Sequence, residues 1–211
     1  LLKAWRQKLY NEGVRVRVGR WKIKGEPTAV LVDFSSLIPR KDEILKSLWE
    51  SYHVDSISGQ WDYIEPVLFG WAAGVVIASY VETFGTPTEK AVAHFHEWMT
   101  AAGGLYLRKH APYIATVFTT HATVMGRCIA GNRLPLYNDL PKFNADELAR
   151  QFNVTAKHSI EKMAAAYHDA FLTVSDITAN ECKYLLGREP DGVTPNGFEN
   201  DFVWTGEEYY A

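Results

Sequence analysis

The sequence predicts an α/β fold, with a mostly parallel sheet and helices on both faces. From residue 91 onward, short β-branched segments alternate with segments of helical periodicity, as in chains built of right-handed strand-helix-strand units. Residues 113–120 are rich in β-branched and apolar side chains, which is typical of a strand covered on both faces. Three predicted strands end in polar residues. Because ligands of such sheets bind beyond the carboxyl ends of the strands, we expect the functional site at that edge.

The first part of the chain predicts a helix followed by two strands. Apolar residues recur at helical spacing in residues 1–10, and Gly13 suits the end of that helix. Residues 14–18 alternate between valine and arginine, which indicates a half-buried strand. After a turn at residues 24–27, the apolar segment 29–33 predicts a second, more fully buried strand. We expect the two strands to form a hairpin or to lie side by side.

Two helices are predicted between residues 41 and 84. The apolar side chains of residues 41–52 fall on one helical face. Residues 55–63 are polar and contain glycine and serine, so we expect a loop there. Pro66 then suits the first turn of a long apolar helix that ends at Phe84. Its apolar run, residues 67–81, is shorter than the ~18–20 residues that span a bilayer, which favours a core helix.

Strands and helices alternate in the rest of the chain. The expected strands are residues 91–96, 113–120, 171–174 and 192–194. The expected helices are residues 98–107, a helix from Asn144 to about Tyr167, and residues 177–186, closed by Gly187. Asn144 followed by Glu147 is a capping-box pattern. The acidic, aromatic residues 199–211 are compatible with a linker toward another domain and equally with an ordered strand or helix.

Length, charge and motifs narrow the class of protein. The 211 residues favour one domain, residues 1–198, followed by the tail 199–211. The formal net charge is −3 and the sequence has no basic run, so we expect neither nucleic acid nor an anionic membrane as a partner. Neither the dinucleotide fingerprint G-x-G-x-x-G nor a P-loop occurs, and no G-x-S-x-G elbow supports a hydrolase.

The cysteines and the start of the chain bear on its setting. Cys128 and Cys182 lie outside any C-x-x-C pair, so we expect small buried thiols in a reducing, cytoplasmic compartment. Residues 1–10 are amphipathic and lack the features of a signal peptide. The first residue is not Met, so we expect the sequence to be a piece of a larger protein.

Polar residues follow three of the predicted strands. They are His94, His96, Glu97, His121, Arg127 and Asn196. His94 and His96 are two apart on a strand and point the same way, so with Glu97 or His121 they are a weak zinc candidate. Because no third ligand stands at a characteristic spacing, satisfied or substrate-facing histidines are the favoured interpretation.

The other three residues each have a functional and a structural interpretation. His121 follows a buried strand and precedes a predicted helix start, whose N–H groups attract anions and hydroxyls, although a lone histidine is more often structural. Arg127 offers a planar fork for phosphate or sugar oxygens, and its alternative is a surface ion pair. Asn196 lies between Pro and Gly, where asparagine also occurs for conformational reasons alone.

Five segments occur in an order typical of one enzyme family. They are V-G-R-W at residues 18–21, A-H-F-H-E-W at 93–98, F-T-T-H-A-T-V-M-G-R at 118–127, T-V-S-D-I-T-A at 173–179 and V-T-P-N-G at 193–197. Together they resemble the glycogen synthases of the animal and fungal type, glycosyltransferase family 3. The resemblance extends from about Gly13 to Phe198, nearly the whole chain.

The resemblance implies a two-lobed GT-B fold, of which residues 1–198 form most of the Rossmann-like N-terminal lobe. It implies retaining transfer of glucose from UDP-glucose to the 4-hydroxyl at the non-reducing end of an α-1,4-glucan. No metal or other cofactor is implied. The implied partners are UDP-glucose and glycogen, and the oligomeric state stays open, a homo-oligomer included.

The resemblance also assigns roles to the polar residues. His121, the His of H-A-T-x-x-G-R, would lie at the transferred glucose and is the candidate catalytic residue. Arg127 of the same motif would lie in the donor cleft, and Asn196 of P-N-G would face that cleft from a neighbouring strand. His96 and Glu97 of H-E-W would line the same edge as further substrate-binding residues.

The chain departs from the family pattern in several places. The Gly-rich loop with its Lys and the C-terminal lobe with its UDP-binding residues are absent, so we expect this chain alone to be inactive. Residues 155–158 and the loop 55–63 also differ from the usual pattern. The alternatives are a GT-B glycosyltransferase with another nucleotide sugar or acceptor, and a glucan-binding module without catalysis.

Overall fold

The computed structural model describes residues 1–86 and 88–198, so the tail 199–211 and the expectations for it lie outside the described residues. The helices are α1 Leu2–Asn11, α2 Lys41–Tyr52, α3 Trp61–Phe84, α4 Ala101–His110, α5 Val124–Gly131, α6 Leu136–Asp139, α7 Ala145–Gln151, α8 Thr155–Tyr167 and α9 Asp176–Glu181. The strands are β1 Arg15–Arg20, β2 Thr28–Asp33, β3 Val92–His96, β4 Ala115–Thr120, β5 Ala170–Thr173 and β6 Gly192–Val193. Short 3-10 turns cover Ser35–Arg40 and Leu140–Lys142, and a π-helical turn, Cys182–Leu186, extends α9.

A four-stranded parallel sheet in the order β3-β4-β5-β6 organises the fold. Each connection between neighbouring strands carries a helix, because parallel neighbours need a crossover. Phe118, Thr119 and Thr120 are all buried, although successive side chains of a strand point to opposite faces. Both faces of β4 are therefore covered at its carboxyl end. The predicted α/β fold, a parallel sheet flanked by helices, is confirmed.

A separate antiparallel hairpin is formed by β1 and β2, with Arg15 opposite Asp33 and Arg20 opposite Thr28. The two adjacent strands expected from the sequence are thus present. The prediction that β2 is the more fully buried strand is wrong, since the side chain of Leu31 is 61% exposed. A two-stranded sheet is covered on one face only, here by α1 and α3, and apolar composition alone does not reveal that.

Helix α3 packs closely on α4. Its glycines make this approach feasible: a Cβ at Gly74 would come within 2.7 Å of the carbonyl oxygen of Gly103. By length and composition this helix of 24 residues could cross a membrane, but half of its most apolar window is buried inside the protein. It is the core helix that the sequence predicts, but it is longer. It begins at Trp61, where Asp62 in the first turn favours a helix start. The predicted loop 55–63 is therefore too long, and Pro66 lies inside the helix and not in its first turn.

The single helix predicted from Asn144 to about Tyr167 is in fact two helices, α7 and α8. Asn153 lies between them with a φ of +56°, a left-handed conformation that asparagine tolerates. Apolar residues continue through the break, so hydrophobic spacing did not reveal it. The predicted cap is present, since Oδ1 of Asn144 accepts a hydrogen bond from the backbone N–H of Glu147 at 3.1 Å.

A buried histidine, His168, lies in the core at the end of α8. Nδ1 of His168 donates to the carbonyl oxygen of Ala164 at 2.8 Å, and the ring packs against Phe95 and Phe118. Gly104 makes room for it, because a Cβ there would lie 1.7 Å from Nε2 of His168. Burial lowers the pKa of His168 to about 4. The ring is therefore neutral at pH 7.

We expect the free energy of unfolding to fall as the pH drops from 6.5 toward 4. In that range the unfolded state binds a proton at His168 and the folded state does not, so acid favours unfolding by on the order of 3 kcal/mol from this group. Urea unfolding at neutral and acidic pH measures the effect. His168→Asn, whose amide nitrogen can donate to Ala164, should remove this part of the pH dependence. An identical pH dependence in wild type and variant would contradict the neutral buried ring.

Candidate functional site

The carboxyl ends of the parallel strands line up along one edge of the sheet. The register pairs His96 with Thr119, Thr119 with Leu172 and Leu172 with Gly192. Neighbouring strands lie about 4.8 Å apart, so the tips of β3 and β4 touch and the tip of β6 is roughly 10 Å from that of β4. The site residues predicted from the sequence all lie along this edge: His96, Glu97, His121, Arg127 and Asn196.

Glu97 ties the tips of β3 and β4 together. Its φ of +65° lies in the left-handed region, which is uncommon for a residue other than glycine, and turns the chain out of the strand. Its backbone N–H donates to the carbonyl oxygen of Thr119 at 2.8 Å. Its carboxylate Oε1 accepts a hydrogen bond from the backbone N–H of His121 at 2.9 Å. The carboxylate of Glu97 therefore fixes the residue that follows β4.

Three imidazole rings lie beside this link. Nδ1 of His96 and Nε2 of His121 are 3.1 Å apart, so one nitrogen donates and the other accepts. His94 contacts Oγ1 of Thr119 through Nε2 at 2.8 Å, and its ring lies 4.1 Å from that of His96, as expected for residues two apart on a strand. Burial first, and then the neighbouring imidazoles, lower the pKa of both His94 and His96. Both rings are therefore neutral at pH 7, so His96 can share a hydrogen bond with His121.

The zinc alternative finds no matching geometry. Across residues 1–86 and 88–198, no three His, Cys, Asp or Glu side chains are arranged to hold a metal ion. His94 is engaged by Thr119, and the carboxylate of Glu97 is engaged by the backbone of His121.

The turn from β4 into α5, residues 121–123, carries the central motif. Thr123 caps the helix, since its Oγ1 accepts a hydrogen bond from the N–H of Gly126 at 2.9 Å. His121 is partly exposed, and Arg127 is exposed one turn into α5. With the part of the chain that the structure describes, the guanidinium of Arg127 forms no hydrogen bond or ion pair. The surface ion pair weighed for Arg127 is thus not found there, and its five donors remain available to a ligand.

Asn196 is exposed in the loop that follows β6. The N–H of Thr194 donates to the carbonyl oxygen of Thr173 at 2.7 Å, which extends the parallel ladder past the end of β6 and fixes where this loop begins. Asn196 does not have a positive φ, and its amide makes no hydrogen bond with the described residues. These observations give no support to a purely conformational role for Asn196.

Sequence reasoning missed two buried carboxylates below the turn. Glu161 of α8 accepts a hydrogen bond from the N–H of Val124, and Glu181 of α9 accepts one from the hydroxyl of Thr123, both at 2.9 Å. A signal for Glu161 was present in the sequence, because it stands at helical spacing from the apolar Ala164. Carboxylates on a core-facing side of a helix are rare, and such a position indicates a specific polar partner in the core.

The fold and the polar edge define an α/β protein of the Rossmann-like type with its site at the carboxyl ends of parallel strands. The chain belongs to the glycogen synthase family, a family of GT-B glycosyltransferases, since the family model described as glycogen synthase matches residues 1–204. The predicted family is thereby confirmed.

Curated relatives agree with this family. The chain is 34% identical over 189 residues to the glycogen [starch] synthase of Dictyostelium discoideum, covering 90% of this chain and 21% of that protein. It is 34% identical over 196 residues to that of Neurospora crassa, covering 93% and 28%. It is 34% identical over 187 residues to the liver form of Rattus norvegicus, covering 89% and 26%. The chain therefore spans about a quarter of the length of these relatives.

The contact between His96 and His121 can be tested by titration. Because the imidazole of His121 contributes to the low pKa of His96, His121→Asn should raise the pKa of His96 toward its ordinary value of 6.5. NMR titration of the ring protons measures this change. His110 is the control, because its pKa is lowered by burial and by Lys109, without a contribution from His121. An unchanged pKa of His96, or an equal shift at His110, would contradict the contact.

Proposed function

We propose that residues 1–198 are the N-terminal lobe of a retaining glycosyltransferase that moves glucose from UDP-glucose to the 4-hydroxyl at the non-reducing end of an α-1,4-glucan. Membership of the glycogen synthase family supports the reaction. The single observation that carries the proposal is the placement of the motif residues. His121, Arg127 and Asn196 share one accessible edge of the sheet, where a ligand of such a fold binds.

In this proposal His121 is the catalytic residue at the transferred glucose. A retaining transfer passes through an oxocarbenium-like state, which gains more from fixed dipoles around the sugar than from a strong general base. The ring of His121 would hold a sugar hydroxyl while its second nitrogen stays bonded to His96. The backbone of the same turn would stabilise developing positive charge through its carbonyl oxygens.

The other residues of the edge would bind and orient the donor. The guanidinium of Arg127 would take donor oxygens through its fork of N–H groups, and the amide of Asn196 would face the sugar from the β6 loop. His96 would orient His121, and Glu97 would hold the backbone of His121 in place. Such fixed positions lower the activation barrier of a transfer reaction, because reacting groups already held in place lose less entropy on reaching the transition state.

The proposal includes a partner lobe. The chain spans about a quarter of its relatives, so the second face of the cleft, and any residue that binds UDP there, would come from a C-terminal lobe. Residues 199–211 would lead toward it, and the chain by itself would be inactive. The partners would be UDP-glucose and glycogen, in the cytoplasm, which fits the free thiols of Cys128 and Cys182. We propose no nucleic acid or membrane as a partner, and a homo-oligomer stays compatible with the chain.

Two alternatives remain for the function of the whole protein. A different nucleotide sugar or acceptor would use the same edge, and a panel of donors such as ADP-glucose and UDP-galactose separates that case. A glucan-binding module without catalysis would bind glycogen and transfer nothing.

The decisive variant for the proposed reaction is His121→Ala, made in a chain extended to the length of the relatives. We expect wild type to transfer glucose from UDP-glucose to glycogen, and His121→Ala to lose about 10²-fold in kcat, since one preorganised contact to the reacting sugar is worth that much. Incorporation of labelled glucose measures it. His110→Ala, remote from the edge, is the matched control. Wild type without transfer, or His121→Ala with full activity, would overturn the proposal.

Arg127 should act on donor binding. Arg127→Ala should weaken UDP-glucose binding about 10–100-fold, because it removes charge-assisted hydrogen bonds. Arg127→Lys should recover only part of the loss, since an ammonium lacks the planar fork. Calorimetric titration with UDP-glucose measures both variants. Equal affinities in all three proteins would exclude Arg127 from the donor site.

A further inference from the structure

A buried carboxyl group lies directly beneath the turn that carries His121. Glu161 is wholly inaccessible, and its Oε1 and the hydroxyl of Thr120 are hydrogen-bonded at 2.8 Å. Its Oε2 accepts a hydrogen bond from the backbone N–H of Val124 at 2.9 Å. Thr120 immediately precedes residues 121–123, and Val124 immediately follows them. One side chain of α8 therefore holds both ends of the turn.

A second carboxylate contacts Thr123, the last residue of the same turn. Oε2 of Glu181 accepts a hydrogen bond from the hydroxyl of Thr123 at 2.9 Å, and Oε1 accepts one from the hydroxyl of Tyr137 at 3.1 Å. The approach depends on Gly126, because a Cβ there would lie 2.2 Å from Oε2 of Glu181. The G of the H-A-T-x-x-G-R motif thus has a local reason, which is room for a buried carboxylate from α9.

The surroundings of Glu161 disfavour a negative charge. Among the described residues, the charges that act on it are the carboxylates of Glu97 and Glu181, and the thiols of Cys128 and Cys182 lie near it. Lys157, one turn earlier on α8, is paired with Asp62. Burial first, and then the two carboxylates, raise the pKa of Glu161 to about 8, despite the hydrogen bonds from Val124 and Thr120. At pH 7 Glu161 is therefore mostly neutral.

A buried carboxyl group without a cation is costly, and an apolar side chain of similar volume would often fill such a position at lower cost. What Glu161 adds is a pair of polar contacts at fixed positions on the two ends of the turn. In the neutral form its O–H donates to Oγ1 of Thr120, whose own hydrogen can point to the carbonyl oxygen of Ala122, 3.4 Å away. The contact to Val124 is unchanged in this form.

We propose that Glu161, assisted by Glu181, is a positioning residue that holds residues 121–123 and the first turn of α5 in the geometry that glucose transfer requires. The inference rests on the proposed function. Glu161 does not touch the substrate, since its side chain is wholly inaccessible beneath the turn. It acts through His121 and Arg127, whose backbone it fixes at both ends of the turn. A displacement of about 1 Å at reacting groups costs on the order of 10²-fold in rate.

The substitution Glu161→Gln separates hydrogen bonding from charge. Its amide oxygen can accept from Val124 and its amide N–H₂ can donate to Thr120, which reproduces the neutral acid. Glu161→Met has similar volume and neither contact. We expect Glu161→Gln to keep transfer within about threefold of wild type, since both hydrogen bonds remain. We expect Glu161→Met to lose about 10²-fold in kcat with little change in the donor KM.

The pH profile gives a readout that a merely structural role would not produce. As the pH rises through about 8, Glu161 ionises beside Glu97 and Glu181. Because its folded pKa lies above the unfolded value of 4.5, its contribution to stability is complete below 4.5 and is lost as the pH rises through about 8. The ionised carboxylate is repelled by Glu97 and Glu181, so we expect it to disturb the turn. Between neutral pH and pH 9, the transfer rate of wild type should therefore fall several-fold relative to that of Glu161→Gln, which cannot ionise. A constant ratio of the two activities would contradict the inference.

The experiment uses the protein extended to the length of its relatives, with transfer kinetics and hydrogen exchange measured on the same samples. Exchange of the peptide that covers residues 120–127 should speed up in Glu161→Met and stay slow in Glu161→Gln. Ile160→Val, which removes one buried methyl group from the same helix, is the control and should alter neither readout. Full activity in Glu161→Met, or equal losses in both Glu161 variants, would overturn the inference.

If Glu161→Met does not fold, two variants of its partner Thr120 test the inference instead. Thr120→Val removes one of the two contacts and should lose about tenfold in kcat, whereas Thr120→Ser keeps the hydroxyl and should stay near wild type. Equal kcat in these two variants would contradict the inference. Failure of the proposed function is distinguishable, because it is seen in wild type, which would then transfer no glucose. Hydrogen exchange of residues 120–127 still tests the positioning role in that case.

Discussion

The parallel register of β3, β4, β5 and β6 is the constraint on which the candidate site depends. Parallel strands must all end at one edge, so polar residues far apart in the chain come together there, and the side chains of His96 and His121 are in direct contact. The backbone ladder extends beyond the strands at both Glu97 and Thr194. Those two hydrogen bonds set where each loop leaves the sheet, and they therefore set the positions of His96 and Asn196 relative to His121.

The turn after β4 is held from several directions at once. Glu97 accepts from the backbone of His121 at the exposed side, and His96 contacts its ring. Below the turn, Glu161 and Glu181 contact the residues that flank His121 and the cap of α5. A short loop with this many fixed polar contacts loses little entropy when a ligand binds, which is the physical advantage of preorganisation. The cost is the burial of two carboxyl groups.

Much of this arrangement could be predicted from the sequence. The alternation of strands and helices predicted the sheet, and polar residues after three strands predicted the edge, because both depend on patterns local to a few residues. The exposure of β2, the start of α3 at Trp61 and the break at Asn153 could not be predicted in the same way. Each depends on what packs against the segment, and hydrophobic spacing carries no information about that.

The contacts of Glu161 also could not be predicted from the sequence. Its position on a core-facing side of α8 is visible in the sequence, but its partners Thr120 and Val124 are 41 and 37 residues away. Only the packing of α8 beneath the edge brings them together. The residues that touch a ligand stand out by chemical type and motif, whereas the residues that support them are recognised from contacts.

We propose that His121, Arg127 and Asn196 together form one wall of a hexose site. A crystal structure of the extended protein with bound UDP-glucose would locate the donor sugar relative to these three side chains. We expect the glucose ring to lie against the carboxyl edge, with a hydroxyl within hydrogen-bonding distance of His121 and donor oxygens on the guanidinium of Arg127. A donor bound elsewhere on the molecule, with this edge open to solvent, would contradict it.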